Sequence, residues 1–178
     1  MTVGSPFPAS SEDGTLRYSD GPATQVSISI DASPEHVWAL VSDVDLPAHF
    51  SSEFLGARWV APDTGPRQGA AFVGRNVHPA RGEWETTSFI VEQEPNRSFA
   101  WAVTDADNPS AQWRFDLHAR DGGTHLTMSM RLGPARSGIS PAIEAMPEKE
   151  DRILRRRVAE HRTNMQATLA GIKALAES

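Results

Sequence analysis

An arginine and an asparagine stand side by side, Arg75-Asn76, just after Gly74, and a carboxylate, Glu85, follows in the next stretch of similar pattern. A guanidinium or a carboxamide donates hydrogen bonds to an oxygen that gains negative charge, and a carboxylate or imidazole accepts a proton. Asn76, Glu85 and Arg75 are therefore the candidate catalytic groups. Arg75 has the opposite strand parity to Asn76, so it either reaches the same interior or points to solvent. Six histidines, at 36, 49, 78, 118, 125 and 161, have none of the H-E-x-x-H spacing of a metal site, and no metal or other cofactor is expected. His161 falls on an apolar helical stripe, as a hydrogen-bonded core histidine or as a pocket-lining one. His49 and His78 fall near element ends, where pocket mouths occur. The five tryptophans are core residues or aromatic walls for a flat or isoprenoid ligand. No G-x-S-x-G elbow, P-loop or dinucleotide fingerprint is present.

The elements that must position these groups are mostly strands. Val26, Ile28 and Ile30 alternate with polar residues, and Ser33-Pro34-Glu35 then supplies an N-cap, a first-turn proline and a first-turn acid for a short helix. Asp45-Leu46-Pro47 starts a second brief helix through Phe50. Strands are expected at Leu55–Ala61, Ala70–Val77, Trp84–Glu92, Ser98–Thr104, Ala111–Ala119 and Thr124–Leu132, separated by turn chemistry such as Asp121-Gly122-Gly123. From Asp151 to Glu177, Leu154, Val158, His161, Met165, Leu169 and Ile172 recur in steps of three and four, one face of a long helix. At about 1.5 Å per residue it would run roughly 40 Å, with Pro147 tolerated in its first turn. The order predicts an α+β fold: a curved antiparallel sheet of about seven strands wrapped around a long C-terminal helix, with two short helices after the first strand. By alternation the inward residues are Phe72, Gly74 and Asn76; Glu85, Thr87, Phe89 and Val91; Phe99, Trp101 and Val103; Trp113, Phe115 and Leu117; and Leu126, Met128, Met130 and Leu132. The first two sets mix small, polar and aromatic residues, which suits a pocket better than a solid core. Its expected lining is His49, Phe72, His78, Trp84, Phe89, Trp101, Trp113, Met128, His161 and Met165.

Composition bounds the function. The chain has 178 residues and reads as a mobile tail, residues 1–23, and one domain, 24–178; Leu16 and Tyr18 are the tail residues able to pin a short edge strand. A net charge of -6 argues against nucleic acid, and no 18-residue apolar run or leader-like start is present, which points to the cytoplasm. Zero cysteines exclude disulfides and thiolate chemistry. The basic cluster Arg152, Arg155, Arg156, Arg157 and Arg162 is either a solvated face paired with Glu148, Glu150 and Glu160 or a dock for an acidic partner. The oligomeric state, a dimer included, stays open.

Four stretches resemble the START-like or helix-grip superfamily, and within it the polyketide cyclase/dehydrase and lipid-transport group. They are Val26 to Ile30 followed by Ala32 to Trp38; Gly69 to Asn76; Trp84 to Thr87 leading to Glu94 to Trp101; and Met165 to Leu169 with Ile172-Lys173. The resemblance spans about Thr24 to Glu177 and implies a cavity for a hydrophobic small molecule. It specifies a fold better than a reaction, because similar proteins include aromatase/cyclases, lipid and sterol carriers, hormone binders and chaperone activators. For a cyclase or dehydrase it implies cofactor-free closure of a bent polyketone, with a donor for the enolate and a proton acceptor within reach. On the docking reading of the basic cluster, the acidic partner is an acyl carrier protein that meets Arg152, Arg155 and Arg156 and delivers a tethered substrate. For a non-catalytic relative the resemblance implies a carrier or sensor of a lipid, isoprenoid quinone or other hydrophobic metabolite.

Overall fold

A computed structural model describes residues 14–178. Strand β1 (Ala23–Ile30) leads into helix α1 (Pro34–Val41) and a 3-10 turn (Leu46–His49); strands β2 (Phe54–Trp59), β3 (Ala71–His78), β4 (Gly82–Glu94), β5 (Ser98–Val103), β6 (Ala111–Arg120) and β7 (Gly123–Leu132) follow. Two helices close the chain, α2 (Ser140–Ala145) and α3 (Glu150–Ala176). The strands form one antiparallel sheet in the order β1-β7-β6-β5-β4-β3-β2, so the first strand returns beside the last. This is the helix-grip arrangement: α3 lies along the inner face of the sheet, meeting β1, β7 and α1.

Local chemistry sets each boundary. The Ser33 side chain accepts from the His36 backbone N–H at 3.3 Å, capping α1, and Pro34 begins that helix. Pro147 does not enter the long helix; it begins a separate 3-10 turn, and the first turn of α3 carries Glu150 and Asp151 instead. Those acids also receive the incoming chain. The Leu16 backbone N–H donates to Asp151 and that of Tyr18 to Glu150, each at 2.8 Å, and the Tyr18 hydroxyl donates to the Ala135 carbonyl at 2.6 Å. Of the tail expected over residues 1–23, residues 1–13 lie outside the described residues. Leu16 and Tyr18 pack against the core, through a 3-10 turn rather than an edge strand.

Leu154, Met165, Leu169 and Ile172 of α3 are buried against Val26, Ile30, Leu126, Met128 and Met130 of β1 and β7, together with Phe99, Phe115 and Leu117. The β4 parity differs from the expected one. Thr86, Ser88 and Ile90 face inward, whereas Glu85 and Thr87 are exposed and Phe89 pairs with Ala71 and Ala102 on the opposite face. A register shift between Ile90 and Glu92 absorbs Val91 as the odd residue. The run Phe89-Ile90-Val91 is apolar on both faces, which hides the alternation that fixes parity elsewhere.

Candidate functional site

The inner face is solidly packed toward β1 and opens beneath β3 to β6. There a cavity of about 130 Å³ lies between sheet and helix. That is room for roughly one six-membered ring, since an engineered apolar cavity of similar size holds benzene.

Strands β3 to β7 supply Phe72, Gly74, Asn76, Thr86, Ser88, Phe99, Trp101, Val103, Trp113, Phe115 and Met128. Helix α3 supplies His161, Asn164, Met165 and Thr168, and Ser51 and Glu53 between α1 and β2, with Phe54 at the start of β2, form the rim. The aromatic wall is continuous: Phe72 meets Trp101 edge-on at 6.2 Å, Trp101 stacks on Trp113 at 6.2 Å and 9°, and Trp113 meets His161 edge-on at 5.2 Å. Gly74 keeps one side of the wall low, because a Cβ there would sit 3.0 Å from the Phe54 ring.

The 42–54 segment closes the cavity and is fastened to α3 at three points. Phe50 covers Gly171, where a Cβ would come within 2.3 Å of its ring. The Ser52 backbone N–H and hydroxyl both donate to Asn164 Oδ1, at 3.1 and 3.0 Å. Arg157 makes a bidentate ion pair with Glu53, one contact at 2.7 Å, with side chains only 15% and 12% exposed. Glu160 braces the same guanidinium at 3.4 Å and meets His78 at 3.3 Å. Burial opposes the Arg157 charge, but Glu53 and Glu160 more than offset it and hold its pKa above the ordinary value.

His161 is 8% exposed, and neither ring nitrogen hydrogen-bonds to a protein group among the described residues. Burial, then the neighbouring Arg157 and His78 charges, push its pKa well below the usual imidazole value, so it is neutral at pH 7. The unfolded chain takes up this proton near pH 6.5 and the folded chain only at lower pH. Stability is therefore full above that value and falls as pH drops toward the folded pKa, at up to about 1.4 kcal/mol per pH unit. Urea unfolding should accordingly show a smaller loss between about pH 7 and about pH 5 in His161→Phe than in the unaltered chain. Equal losses would remove His161 as the source.

The expected site residues divide. Asn76, Phe72, Trp101, Trp113, Met128, His161 and Met165 line the cavity. Glu85 is corrected: on the outward parity of β4 it pairs with Arg58 at 3.5 Å, in solvent. Arg75 is outward and pairs with Glu83 at 3.9 Å. Phe89 lies on the other face of the sheet, and Trp84 lies outside the cavity beneath the Arg81 guanidinium at 4.4 Å. His78 is held at the rim network by Glu160, and His49 sits outside the lining at the end of its 3-10 turn, against Phe50. Of the expected carrier-docking arginines, Arg155 pairs with Asp151 and Arg156 with Glu160, each within α3, while Arg152 is exposed. Asn164, Ser51, Glu53, Thr86 and Ser88 also line the cavity, although none was expected there from the sequence. Asn164 alone carried a signal, three residues beyond His161 and adjacent to Met165 on the buried stripe.

On the outer face of the sheet a polar depression is lined by groups that already bond one another, Arg114 to Glu92 and to Asp116. No helix among the described residues is long and apolar enough to cross a membrane.

A curved sheet gripping one long helix over an aromatic hollow defines a helix-grip protein. Residues 22–177 match the family model described as polyketide cyclase / dehydrase and lipid transport, and the chain belongs to that family. A polyketide cyclase-like protein from Corynebacterium glutamicum is 33% identical, covering 86% of this chain and 90% of its own, with a TM-score of 0.61. The di-domain ARO/CYC BexL from the BE-7585A biosynthetic pathway shares the fold at 19% identity and TM-score 0.66, and the di-domain ARO/CYC StfQ from the steffimycin pathway at 12% and 0.64. This chain covers 88% and 87% of its own length in those matches and half of each two-domain chain. No curated protein matches.

Proposed function

We propose that the chain binds a hydrophobic, oxygenated small molecule between sheet and helix and promotes its cyclisation or dehydration. The observation that carries this is the aromatic hollow into which polar groups converge: the side chains of Thr86, Ser88 and His161 and the amide N–H of Asn164, all unspent, and Asn76, whose one bond is a long 3.4 Å to the Gly74 carbonyl. A solid core would bury no such set without partners. Apolar walls fold a flexible chain, and the few donors orient its oxygens. Drug-sized ligands occupy roughly 300–1,000 Å³, so a guest larger than one ring requires the 42–54 segment to move. The same cavity would serve a carrier equally well, and the lipid-transport relatives of the family keep that second reading alive.

Asn76→Ala separates the two. Incubated with a synthetic poly-β-ketone thioester, the unaltered chain is expected to release a dehydrated product, read as loss of water by mass spectrometry. Asn76→Ala should bind the thioester but form that product at least about 10-fold more slowly, as for loss of one oriented donor. Recovery of unchanged thioester bound to both proteins would favour the carrier, and no binding by either would overturn the cavity as a site.

A further inference from the structure

We propose that His161 and Asn164, one turn apart on α3, form a base and donor pair that enolises a carbonyl compound held in the cavity. The inference rests on the ligand-binding reading above and assigns the atoms that act. The Ser52 backbone N–H can only donate, so the amide oxygen of Asn164 must face it, and the Ser52 hydroxyl donates to the same oxygen. The amide nitrogen is thereby turned the other way, and neither of its hydrogens reaches a protein acceptor among the described residues. Asn164 thus lines the cavity with its donor oriented and unspent.

The other rim groups are committed. Ser51 Oγ accepts from the Glu53 and Phe54 backbone N–H groups, Glu53 is held by Arg157, and the Thr168 hydroxyl donates to the Asn164 carbonyl at 2.9 Å. Asn76 spends its amide, at a long 3.4 Å, on the Gly74 carbonyl. His161 supplies the complementary function, a buried imidazole with an unbonded ring nitrogen, held edge-on by Trp113. Side chains three residues apart on a helix have Cβ atoms about 5–6 Å apart, which suits a carbonyl oxygen at one and its α-carbon at the other.

In the step, the imidazole nitrogen takes the α-proton. The C–H electron pair becomes the C=C bond, and the carbonyl π pair moves to oxygen, where Asn164 N–H meets the new charge. Imidazolium and enolate form together, so net charge is conserved. Return of a solvent-exchanged proton from the imidazolium to carbon regenerates the ketone. Arg157 and His78, which disfavour a resting positive charge on His161, are opposed across the rim by Glu53 and Glu160.

The test is deuterium wash-in at the α-carbons of cyclohexanone in D₂O, followed by NMR, with saturable binding of cyclohexanone and of benzene measured alongside. The unaltered chain is expected to accelerate wash-in at least about 10-fold over the same concentration of free imidazole, as for a positioned base. The rate should stay level from about pH 8 down past about pH 6.5, where an ordinary imidazole would lose half its base form. His161→Gln should abolish the acceleration. Asn164→Asp, which still accepts from Ser52 but lacks the N–H donors, should do the same, and both variants should still bind benzene. Binding of cyclohexanone with wash-in equal to that of His161→Gln overturns the pair and leaves the cavity reading standing. Failure of the unaltered chain to bind either ring overturns both. Acceleration that survives in Asn164→Asp removes Asn164 from the step.

Discussion

Replacing Arg157 by methionine is expected to cost about 3–5 kcal/mol of folding stability, the range for stranding one member of a buried ion pair. The stem of Arg157 runs along α3 while its guanidinium faces Glu53 on the closing segment, and both side chains are almost out of water. Methionine keeps the apolar stem but leaves the Glu53 carboxylate at the rim without its ion-pair partner. The double variant Arg157→Met/Glu53→Leu should recover most of the loss, because an apolar pair of similar volume commonly stands in for a buried ionic one without penalty. Urea unfolding of the four proteins of this cycle measures the coupling directly. A loss below about 1 kcal/mol in the single variant would class the pair with ordinary surface ion pairs and remove it as a fastener of the segment.

Ser88→Leu should have the opposite profile, leaving stability intact and removing the guest. Ser88 is 3% exposed and lines the hollow from β4, and its hydroxyl has no hydrogen-bond partner among the described residues, so its replacement breaks no side-chain hydrogen bond there. The added carbons project into space that a ring would use. Affinity for a one-ring guest is expected to fall at least about 100-fold, equivalent to roughly 2.7 kcal/mol. The thermal midpoint should hold or rise, as when a void is filled without strain. Calorimetric titration with benzene, beside a thermal scan, checks both. Unchanged affinity in a folded Ser88→Leu protein would place the guest elsewhere.

The architecture was legible because each element advertises itself locally. The alternation around Val26, Trp101, Trp113 and Met128, the turn residues between strands, and the stripe from Leu154 to Ile172 all agree with the observed sheet and helix. Strand β4 was not, since Phe89-Ile90-Val91 is apolar at three successive positions and the extra residue at Val91 shifts the period; Glu85 and Phe89 were thereby assigned to the wrong face. The rim was illegible for a different reason. Ser51, Glu53 and Asn164 are ordinary polar residues in sequence, and only the closing of the 42–54 segment onto α3 gives them partners. Arg157 looked like one more member of a basic face, yet it lies four residues before His161, on the side of the helix that meets this segment.

Methionine methyl groups offer the most direct look at the hollow itself. Met128 and Met165 line it, Met130 is buried in the packed part of the core, and Met146 lies beyond α2. With ¹³C-labelled methionine methyls, titration with benzene should shift the Met128 and Met165 signals saturably and together while Met130 and Met146 stay in place. Signals that do not move, or that all move linearly without saturation, would mean that sheet and helix enclose no receptive space.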